Sequence, residues 1–477
     1  MSIRLNTFYN LMGSFVPLLS SLITIPLYIG LIGEARYGIL AIVWLLLGYF
    51  GLFDLGLGRA TAQKIAASRD ASDKERADIF WTAFLLNLAL GVLGGLLVWP
   101  ISYYFFDAFF KVDEGLRLEI YNAIPWLVLA LPIAILSGTL TGALQGRERF
   151  FELNLVSAIG TLIFQLMPLI VANYISVDLG YLLPSVLFAR FLTVIALFQR
   201  CTRHIVLGYP VLFDYTKAML LLRFGGWVTV TSIVGPLMVI LDRIIIGSTL
   251  GAKAVTYYTV PFQLAERTAL IPSALTSVLF PRFSVVNSTE DNILANQAMN
   301  ILIVVMTPII ALCILFIKPF LIWWVGEEFA DDSALVGQVL LFGFWVNGFA
   351  RVPYAQLQAR GKPGLVAKCH LFEVIPYFIL LYFGLNNFGL MGAAIAFTFR
   401  VLIDFILLSS LAGSFSVLLR MLFIPLIFLV VGMYISHQIS DINLFIVGYI
   451  IVYFLLFLAW VWWKAPQSIK NKLVNII

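Results

Sequence analysis

Five arginines lie within long apolar stretches of the chain, where a charged side chain needs a partner. They are Arg190, Arg243, Arg267, Arg351 and Arg400. An arginine at the centre of a bilayer costs about 2.5–3.5 kcal/mol on insertion scales, so such residues persist where they face a protein interior or a water-filled cavity. There a guanidinium group either pairs with an acid or binds an anion, and its fork of donors matches the oxygens of a phosphate.

Five acids in similar surroundings are the candidate partners of these arginines. They are Asp54, Asp242, Glu266, Glu373 and Asp404. Equal numbers permit full neutralisation by structural ion pairs, and Arg400 and Asp404, one helical turn apart, can pair on one helix face. Alternatively, some arginines bind an anion in a cavity while the remaining acids take up a proton or a sodium ion during a transport cycle. The sequence leaves both alternatives open.

The positions of the other acids in the sequence suggest which groups each of them contacts. Asp242 is adjacent to Arg243, and Glu266 is adjacent to Arg267. Neighbouring residues point about 100° apart around a helix, so we expect these four to seek partners on other helices or in a cavity. Asp54 lies near the cytoplasmic end of the second predicted helix, where its carboxylate can instead cap or order that turn.

The composition is that of a membrane protein with many spans. Hydrophobic residues make up 61% of the 477 residues and charged residues only 12%, and the mean hydropathy is +0.99. A soluble domain carries about 25% charged residues. We therefore predict an all-α polytopic membrane protein.

The sequence lacks the motifs of common enzymes and cofactor sites. It contains no phosphate-cradling Gly-x-x-x-x-Gly-Lys-Ser/Thr loop, no His-Glu-x-x-His pair and no nucleophile elbow. Its three cysteines and three histidines show no disulfide or metal spacing. We expect no enzyme, no cofactor and no metal site, with energy from a proton or sodium gradient or from the substrate gradient itself.

About 14 apolar runs are long enough to cross the hydrocarbon core. They are Leu11–Ile32, Tyr37–Leu57, Ile79–Phe106, Ile120–Leu144, Leu153–Ile175, Leu179–Gln199, Leu222–Leu250, Ala254–Arg282, Ala298–Val325, Ser333–Gln358, Leu365–Asn386, Gly389–Ala412, Leu418–His437 and Leu444–Trp463. Lys and Arg concentrate in alternate loops, as the positive-inside rule requires if both termini are cytoplasmic. The net charge of +5 therefore reflects topology, and no nucleic-acid partner is expected.

A weak internal repeat divides the chain. Leu-Gln-Gly-Arg at 144–147 recurs as Leu-Gln-Ala-Arg at 357–360, and Arg190 recurs as Arg400. Six helices per copy give both copies the same orientation, so a pseudo-two-fold axis along the membrane normal is expected. The predicted regions are an N-terminal six-helix lobe at 1–200, a cytoplasmic linker at 201–221, a C-terminal six-helix lobe at 222–413, and two further helices with a cytoplasmic tail at 414–477.

Several short motifs carry a family resemblance. They are Asn-Thr-Phe-Tyr-Asn at 6–10, Pro-Leu at 26–27, Tyr-Gly at 37–38, Asp-Leu-Gly-Leu at 54–57, Leu-Gln-Gly-Arg at 144–147 and Asp-Arg-Ile-Ile-Ile-Gly at 242–247. In these motifs and in its layout the chain resembles the Wzx-like O-antigen translocases. These are polysaccharide flippases of the multidrug/oligosaccharidyl-lipid/polysaccharide (MOP) exporter superfamily.

The resemblance implies two lobes around a central cavity that opens to each side of the bacterial cytoplasmic membrane in turn. It implies that an oligosaccharide repeat unit linked to undecaprenyl pyrophosphate, for O-antigen, capsule or exopolysaccharide, is moved to the outer leaflet. The five arginines would then bind the pyrophosphate. Membrane lipids and the polysaccharide polymerase or chain-length machinery are the expected partners.

Other functions stay open. A cation-coupled multidrug exporter of the same superfamily would need an acidic, aromatic cavity, and the five arginines count against it. An intramembrane glycan polymerase or ligase is disfavoured by the short outer loops. A peptidoglycan-precursor flippase resembles the chain too, but such flippases carry arginines in helix 1, and the run Leu11–Gly33 has none.

Overall fold

The chain is helical throughout the part that the computed structural model describes. The described residues are 3–50, 54–68, 72–108, 113–283, 288–413, 415–438, 452–457, 459–460 and 462–463. The helices are α1 (Ile3–Phe50), α2 (Leu57–Ala67), α3 (Asp73–Ala108), α4 (Glu114–Gly146), α5 (Phe150–Tyr174), α6 (Leu179–Cys201), α7 (Tyr215–Leu250), α8 (Ala252–Glu266), α9 (Leu270–Phe283), α10 (Ser288–Trp324), α11 (Glu327–Ala359), α12 (Pro363–Ala412) and α13 (Phe415–Gln438).

The predicted fold class is confirmed. Within the described residues, eight helical segments are long and apolar enough to cross a membrane, and there is no β-strand. The protein is therefore an all-α, multi-pass membrane protein. Half of the predicted last span, Leu444–Trp463, lies outside the described residues, so the arrangement of twelve helices plus two stays a prediction.

Two of these segments, α1 and α12, are helical hairpins that reverse at a glycine. Gly33 has φ 77° and ψ 164°, and Gly389 has φ 56° and ψ −140°, values that side chains with a Cβ rarely adopt. In α12 a Cβ added to Gly392 would lie 2.0 Å from the carbonyl oxygen of Gly384. Residues eight apart in a straight helix are about 12 Å apart, so the chain must fold back here. Both reversals fall where the sequence predicts a boundary between two spans.

The two copies of the Leu-Gln-x-Arg motif end α4 and α11 with the same backbone geometry, while the six-helix repeat stays a prediction. Glu148 and Gly361, each the second residue after its helix, have φ values of 57° and 72°. The amide of the next residue donates to the carbonyl of Leu144 in one copy and of Leu357 in the other, both at 3.0 Å. This is the Schellman pattern of hydrogen bonds, found at corresponding positions of the repeated motif.

The helices form two compact units, Met1–Thr256 and Tyr257–Ile477. In the first unit Ile65, Phe80, Leu140 and Leu197 belong to a buried core built from α2, α3, α4 and α6. In the second unit Leu357, Val366, Leu408 and Ala412 form a core between α11 and the two arms of α12. The predicted lobe boundaries at residues 201–221 and 413 stay a prediction.

Candidate functional site: a cavity in the first unit and a charge cluster in the second

A cavity of about 470 Å³ lies within the first unit. Its walls come from the end of α1, the turn into α2, the second half of α4 and the middle of α6. The polar residues that line it are Asp54, Arg59, Ser137, Thr141, Gln145, Arg190 and Thr193. It therefore combines two of the chain's arginines with one acid and a set of neutral hydrogen-bonding groups.

Glycines bring α2 and α4 together at one wall of this cavity. A Cβ on Gly142 would lie 2.0 Å from the carbonyl oxygen of Gly58, and a Cβ on Gly58 would lie 2.7 Å from that of Gly138. Contacts below 3.0 Å are not tolerated by real Cβ atoms. The missing side chains thus allow the two backbones to touch, which fixes the position of Arg59 at the start of α2.

Asp54 orders the turn that leads into α2. Its Oδ1 accepts a hydrogen bond from the amide of Gly56 at 2.7 Å, and its Oδ2 accepts one from the amide of Gly58 at 2.8 Å. Leu55 and Gly56 have φ values of 51° and 69°, so the turn is left-handed. The turn-ordering role that the sequence allowed for Asp54 is present, and its role in ion coupling stays a prediction.

Arg190 reaches the cavity from α6 without an acidic partner. Its guanidinium lies 4.3 Å from the ring centre of Phe164, which in turn packs against Trp44 at 5.7 Å. Among the described residues Arg190 forms no ion pair, and its Nε is buried without a hydrogen-bond acceptor. The aromatic ring holds the side chain by a cation–π contact and leaves the charge available to a ligand.

Arg59 is a cavity residue that the sequence analysis missed. Its loop was interpreted as a source of positive-inside charge, which explains Arg59 without any ligand. The structure places it on the exposed face of the first turn of α2, within electrostatic range of Asp54. The signal that could have found it is its spacing of five residues from Asp54 across a glycine-rich turn.

A second group of charges lies in the α12 hairpin of the second unit. Nη1 of Arg400 lies 3.7 Å from Oε2 of Glu373, and Nε2 of His370 lies 3.4 Å from Oδ1 of Asp404. Glu373 is only 2% exposed, and neither of its carboxylate oxygens has a hydrogen-bond donor among the described residues. The guanidinium of Arg400 also lies 5.5 Å from the ring centre of Tyr377.

The hairpin explains why sequence spacing was an incomplete guide to these charges. The sequence suggested that Arg400 pairs with Asp404 one turn away. The reversal at Gly389 instead brings Glu373 next to Arg400 and His370 next to Asp404. His370 is one of the three histidines whose spacing indicated no metal site. It stacks on Tyr354 with ring centres 6.0 Å apart, so it is fixed facing the cluster.

The expectation that Asp242 and Arg243 would not contact each other is wrong. Nη1 of Arg243 donates to both carboxylate oxygens of Asp242 at 2.7 and 2.8 Å, and both residues are about 1% exposed. Arg243 also donates to the carbonyl of Val239 at 3.2 Å. The long arginine side chain bends back along its own helix, which overcomes the 100° between the two Cβ directions. Neither residue lines the cavity.

The remaining predicted residues lie around the break between α8 and α9. Nη1 of Arg351 in α11 donates to Oγ of Ser273 in α9 at 2.5 Å, and Glu266 lies within electrostatic range of it. Glu266 and Arg267 are both exposed where a short 3-10 turn interrupts the helix. Arg267 forms no ion pair in the described part of the chain.

The predicted arginines therefore differ in their surroundings. Arg243 and Arg400 have acidic partners, and Arg351 has a hydroxyl and a nearby acid. Arg190 and Arg267 contact no acid within the described ranges. The five arginines are thus neither all paired with acids nor all without an acidic partner in the described residues. The roles assigned to these residues in substrate binding, and to the acids in ion coupling, stay predictions.

Comparison with known proteins identifies the family. A family model described as "Polysaccharide biosynthesis protein" matches residues 30–334. A Shigella flexneri protein provisionally assigned as an O-antigen transporter is 30% identical over 411 residues, which is 86% of this chain and 97% of that protein.

Solved structures share the fold. The lipid II flippase MurJ in an inward closed conformation aligns with a TM-score of 0.74 over 99% of this chain and 100% of its own, at 14% identity. An inward-facing multidrug resistance MATE transporter of the MOP superfamily aligns with a TM-score of 0.72 over 88% of this chain and 96% of its own, at 15% identity. The family match and the relative in Shigella flexneri show that this chain belongs to the polysaccharide biosynthesis protein family.

Proposed function

We propose that this protein is a flippase for an oligosaccharide repeat unit linked to undecaprenyl pyrophosphate. It would move this lipid from the cytoplasmic to the outer leaflet of a bacterial cytoplasmic membrane by alternating access, with both termini in the cytoplasm. The family and the assignment of the relative in Shigella flexneri support a lipid-linked glycan as the substrate class. O-antigen, capsule and exopolysaccharide units all fit this class.

The observation that carries the proposal is the charge of the cavity in the first unit. Arg59 and Arg190 supply two positive charges, and Asp54 supplies one negative charge whose oxygens already accept main-chain hydrogen bonds. These three groups make the cavity net positive, and the guanidinium fork of Arg190 has no acidic partner among the described residues. Phosphate oxygens bind such a fork in a bidentate way. An organic cation, the substrate of a drug exporter, would be repelled.

The neutral groups of the cavity suit the rest of such a ligand. Ser137, Thr141 and Gln145 recur along one face of α4, and Thr193 faces the same space from α6. Hydroxyl and amide groups hydrogen-bond to sugar hydroxyls without a charge requirement. The chain's own residues would therefore orient the headgroup while no bond is made or broken, so we assign it no enzymatic activity and no cofactor.

We place energy coupling in the α12 cluster. Two carboxylates, Glu373 and Asp404, face one arginine, Arg400, and one histidine, His370. With a neutral imidazole the four groups carry one negative charge in excess, and binding a single proton neutralises them. Buried unbalanced charge is costly, so proton binding and the conformation of the hairpin would be linked. A sodium ion could neutralise the cluster equally well.

Transport by purified protein in proteoliposomes tests the proposal. The donor would be an undecaprenyl-pyrophosphate-linked oligosaccharide, detected by a side-specific probe of its sugar, with and without an imposed proton or sodium gradient. Protein-dependent flipping is expected, and it should be absent for an uncharged polyprenol glycoside. No flipping, together with gradient-driven efflux of an organic cation, would support the multidrug exporter instead.

A further inference from the structure

The linker between α6 and α7 carries apolar side chains on its surface. Leu207, Val211, Leu212 and Phe213 are 45–57% exposed. They lie within the seven residues that follow Val206, the last residue of the apolar segment that contains α6. Exposed apolar surface costs about 25 cal/mol per Å² in water, so four such residues close together in the chain favour an apolar covering. We call residues 207–213 the apolar linker.

The apolar linker is held in place at both ends. The amide of Leu207 donates to the carbonyl of Thr202 at 3.0 Å, where the chain leaves the π-helical turn Thr202–Val206. At the other end the amide of Asp214 donates to Oγ1 of Thr82 in α3 at 3.1 Å. The exposed side chains are therefore presented by a fixed backbone rather than by a free loop.

The backbone of this segment limits where it can lie. Residues 209–213 are not helical, so their carbonyls do not accept the i to i+4 hydrogen bonds of a helix. Such backbone is not stable in the hydrocarbon core of a bilayer. Apolar side chains on irregular backbone fit the headgroup region, where the backbone meets water and the side chains meet acyl chains.

Basic residues flank the apolar linker. Arg203 lies in the π-helical turn before it, and Arg223 is the ninth residue of α7 after it. Both side chains are exposed, and neither forms an ion pair in the described part of the chain. Basic residues next to an interfacial apolar segment attract anionic lipid headgroups.

We propose that the apolar linker is an interfacial anchor that selects anionic phospholipids. Val211, Leu212 and Phe213 insert among the acyl chains at the membrane surface, and Arg203 and Arg223 bind headgroup phosphates of a lipid such as phosphatidylglycerol. This surface lies outside the cavity of the first unit and goes beyond the proposed transport function. A water-exposed linker, or one covered by another protein, contradicts it.

Spin-label accessibility tests where the linker lies. The label is attached to Val211→Cys after Cys201, Cys313 and Cys369 are replaced by alanine, with Lys74→Cys in another exposed segment of the same unit as the matched control. In vesicles containing phosphatidylglycerol, the label at 211 should be relaxed by oxygen and shielded from a water-soluble nickel complex, and the label at 74 should show the reverse. A label at 211 that is as accessible to nickel as the label at 74 overturns the proposal.

Lipid selection is tested without altering the cysteines. Phosphatidylglycerol retained by the purified protein is extracted and compared between the native chain and Arg203→Gln/Arg223→Gln, with Arg149→Gln/Arg200→Gln as the control of equal charge. We expect the first variant to lose a severalfold larger share of its bound phosphatidylglycerol than the control. Equal retention in the native chain and both variants overturns the assignment of the two arginines, whatever substrate the protein transports.

Discussion

Replacing Arg190 with glutamine should weaken binding of a pyrophosphate lipid more than it weakens the fold. The guanidinium has no acidic partner among the described residues, so its removal strands no buried carboxylate. A hydrogen bond to a charged group contributes about 1.5–3 kcal/mol, which corresponds to a roughly 10- to 100-fold rise in Kd. The stability cost is the cation–π contact with Phe164, about 0.5–2 kcal/mol.

The assay is direct binding of a short-chain polyprenyl pyrophosphate to the purified full-length chain, with thermal unfolding measured alongside. Arg190→Lys should bind with intermediate affinity because the ammonium keeps the charge but loses the fork. Arg149→Gln, which removes the same charge outside the cavity, should leave Kd unchanged. An Arg190→Gln variant that unfolds at the native temperature and binds with the native Kd would refute the assignment of Arg190 to the ligand.

Three further predictions concern the cavity wall, the coupling cluster and the residue that precedes α7. Gly142→Ala must move α2 away from α4 by about 1 Å, since its Cβ would lie 2.0 Å from the Gly58 carbonyl against a tolerated 3.0 Å. Thermal stability and pyrophosphate binding should both fall, while Gly30→Ala, with no atom within 4 Å, should change neither. Glu373→Gln should remove the response of transport to an imposed proton gradient while leaving substrate binding intact, and an unchanged response in flux assays would contradict the coupling proposal. The amides of Lys217 and Thr216, at the start of α7, donate hydrogen bonds to the carboxylate of Asp214, and the bond from Lys217 contributes most to holding the pKa of Asp214 below its usual range. The ionised carboxylate therefore stabilises the fold at pH values above that range, and this stabilisation is lost as the pH falls through the lowered pKa. Asp214→Asn should therefore flatten the fall in melting temperature towards acidic pH, and an unaltered profile would count against this role.

The helical class and several span boundaries were predictable because apolar run length and helix breakers decide them, whereas the predicted span Ala254–Arg282 is interrupted at Arg267–Ala269. The sequence marks the ends of α4 and α11 with the same motif, and the same Schellman hydrogen bonds are found at both. It also marks the reversals at Gly33 and Gly389, because only a residue without a Cβ readily adopts those backbone angles. Helix ends and chain reversals depend on residues close together in the sequence, so the sequence alone can indicate them.

The composition of the candidate site was less predictable because it depends on which helices touch. The contact of Arg400 with Glu373 follows from a reversal of the chain, and the sequence could place the reversal but not the rotation of each arm. The pairing of Asp242 with Arg243 depends on side-chain flexibility that a Cβ-direction argument ignores. Arg59 was missed because the positive-inside rule already explains a basic residue in a cytoplasmic loop.

The structure of the protein in a lipid nanodisc with bound undecaprenyl-pyrophosphate-linked oligosaccharide tests the central claim most directly. The account predicts that the pyrophosphate lies in the cavity of the first unit, with an oxygen about 3 Å from the Arg190 guanidinium. The sugar should face the polar side chains of α4. A pyrophosphate bound elsewhere, with Arg190 still stacked on Phe164 in an empty cavity, would contradict it.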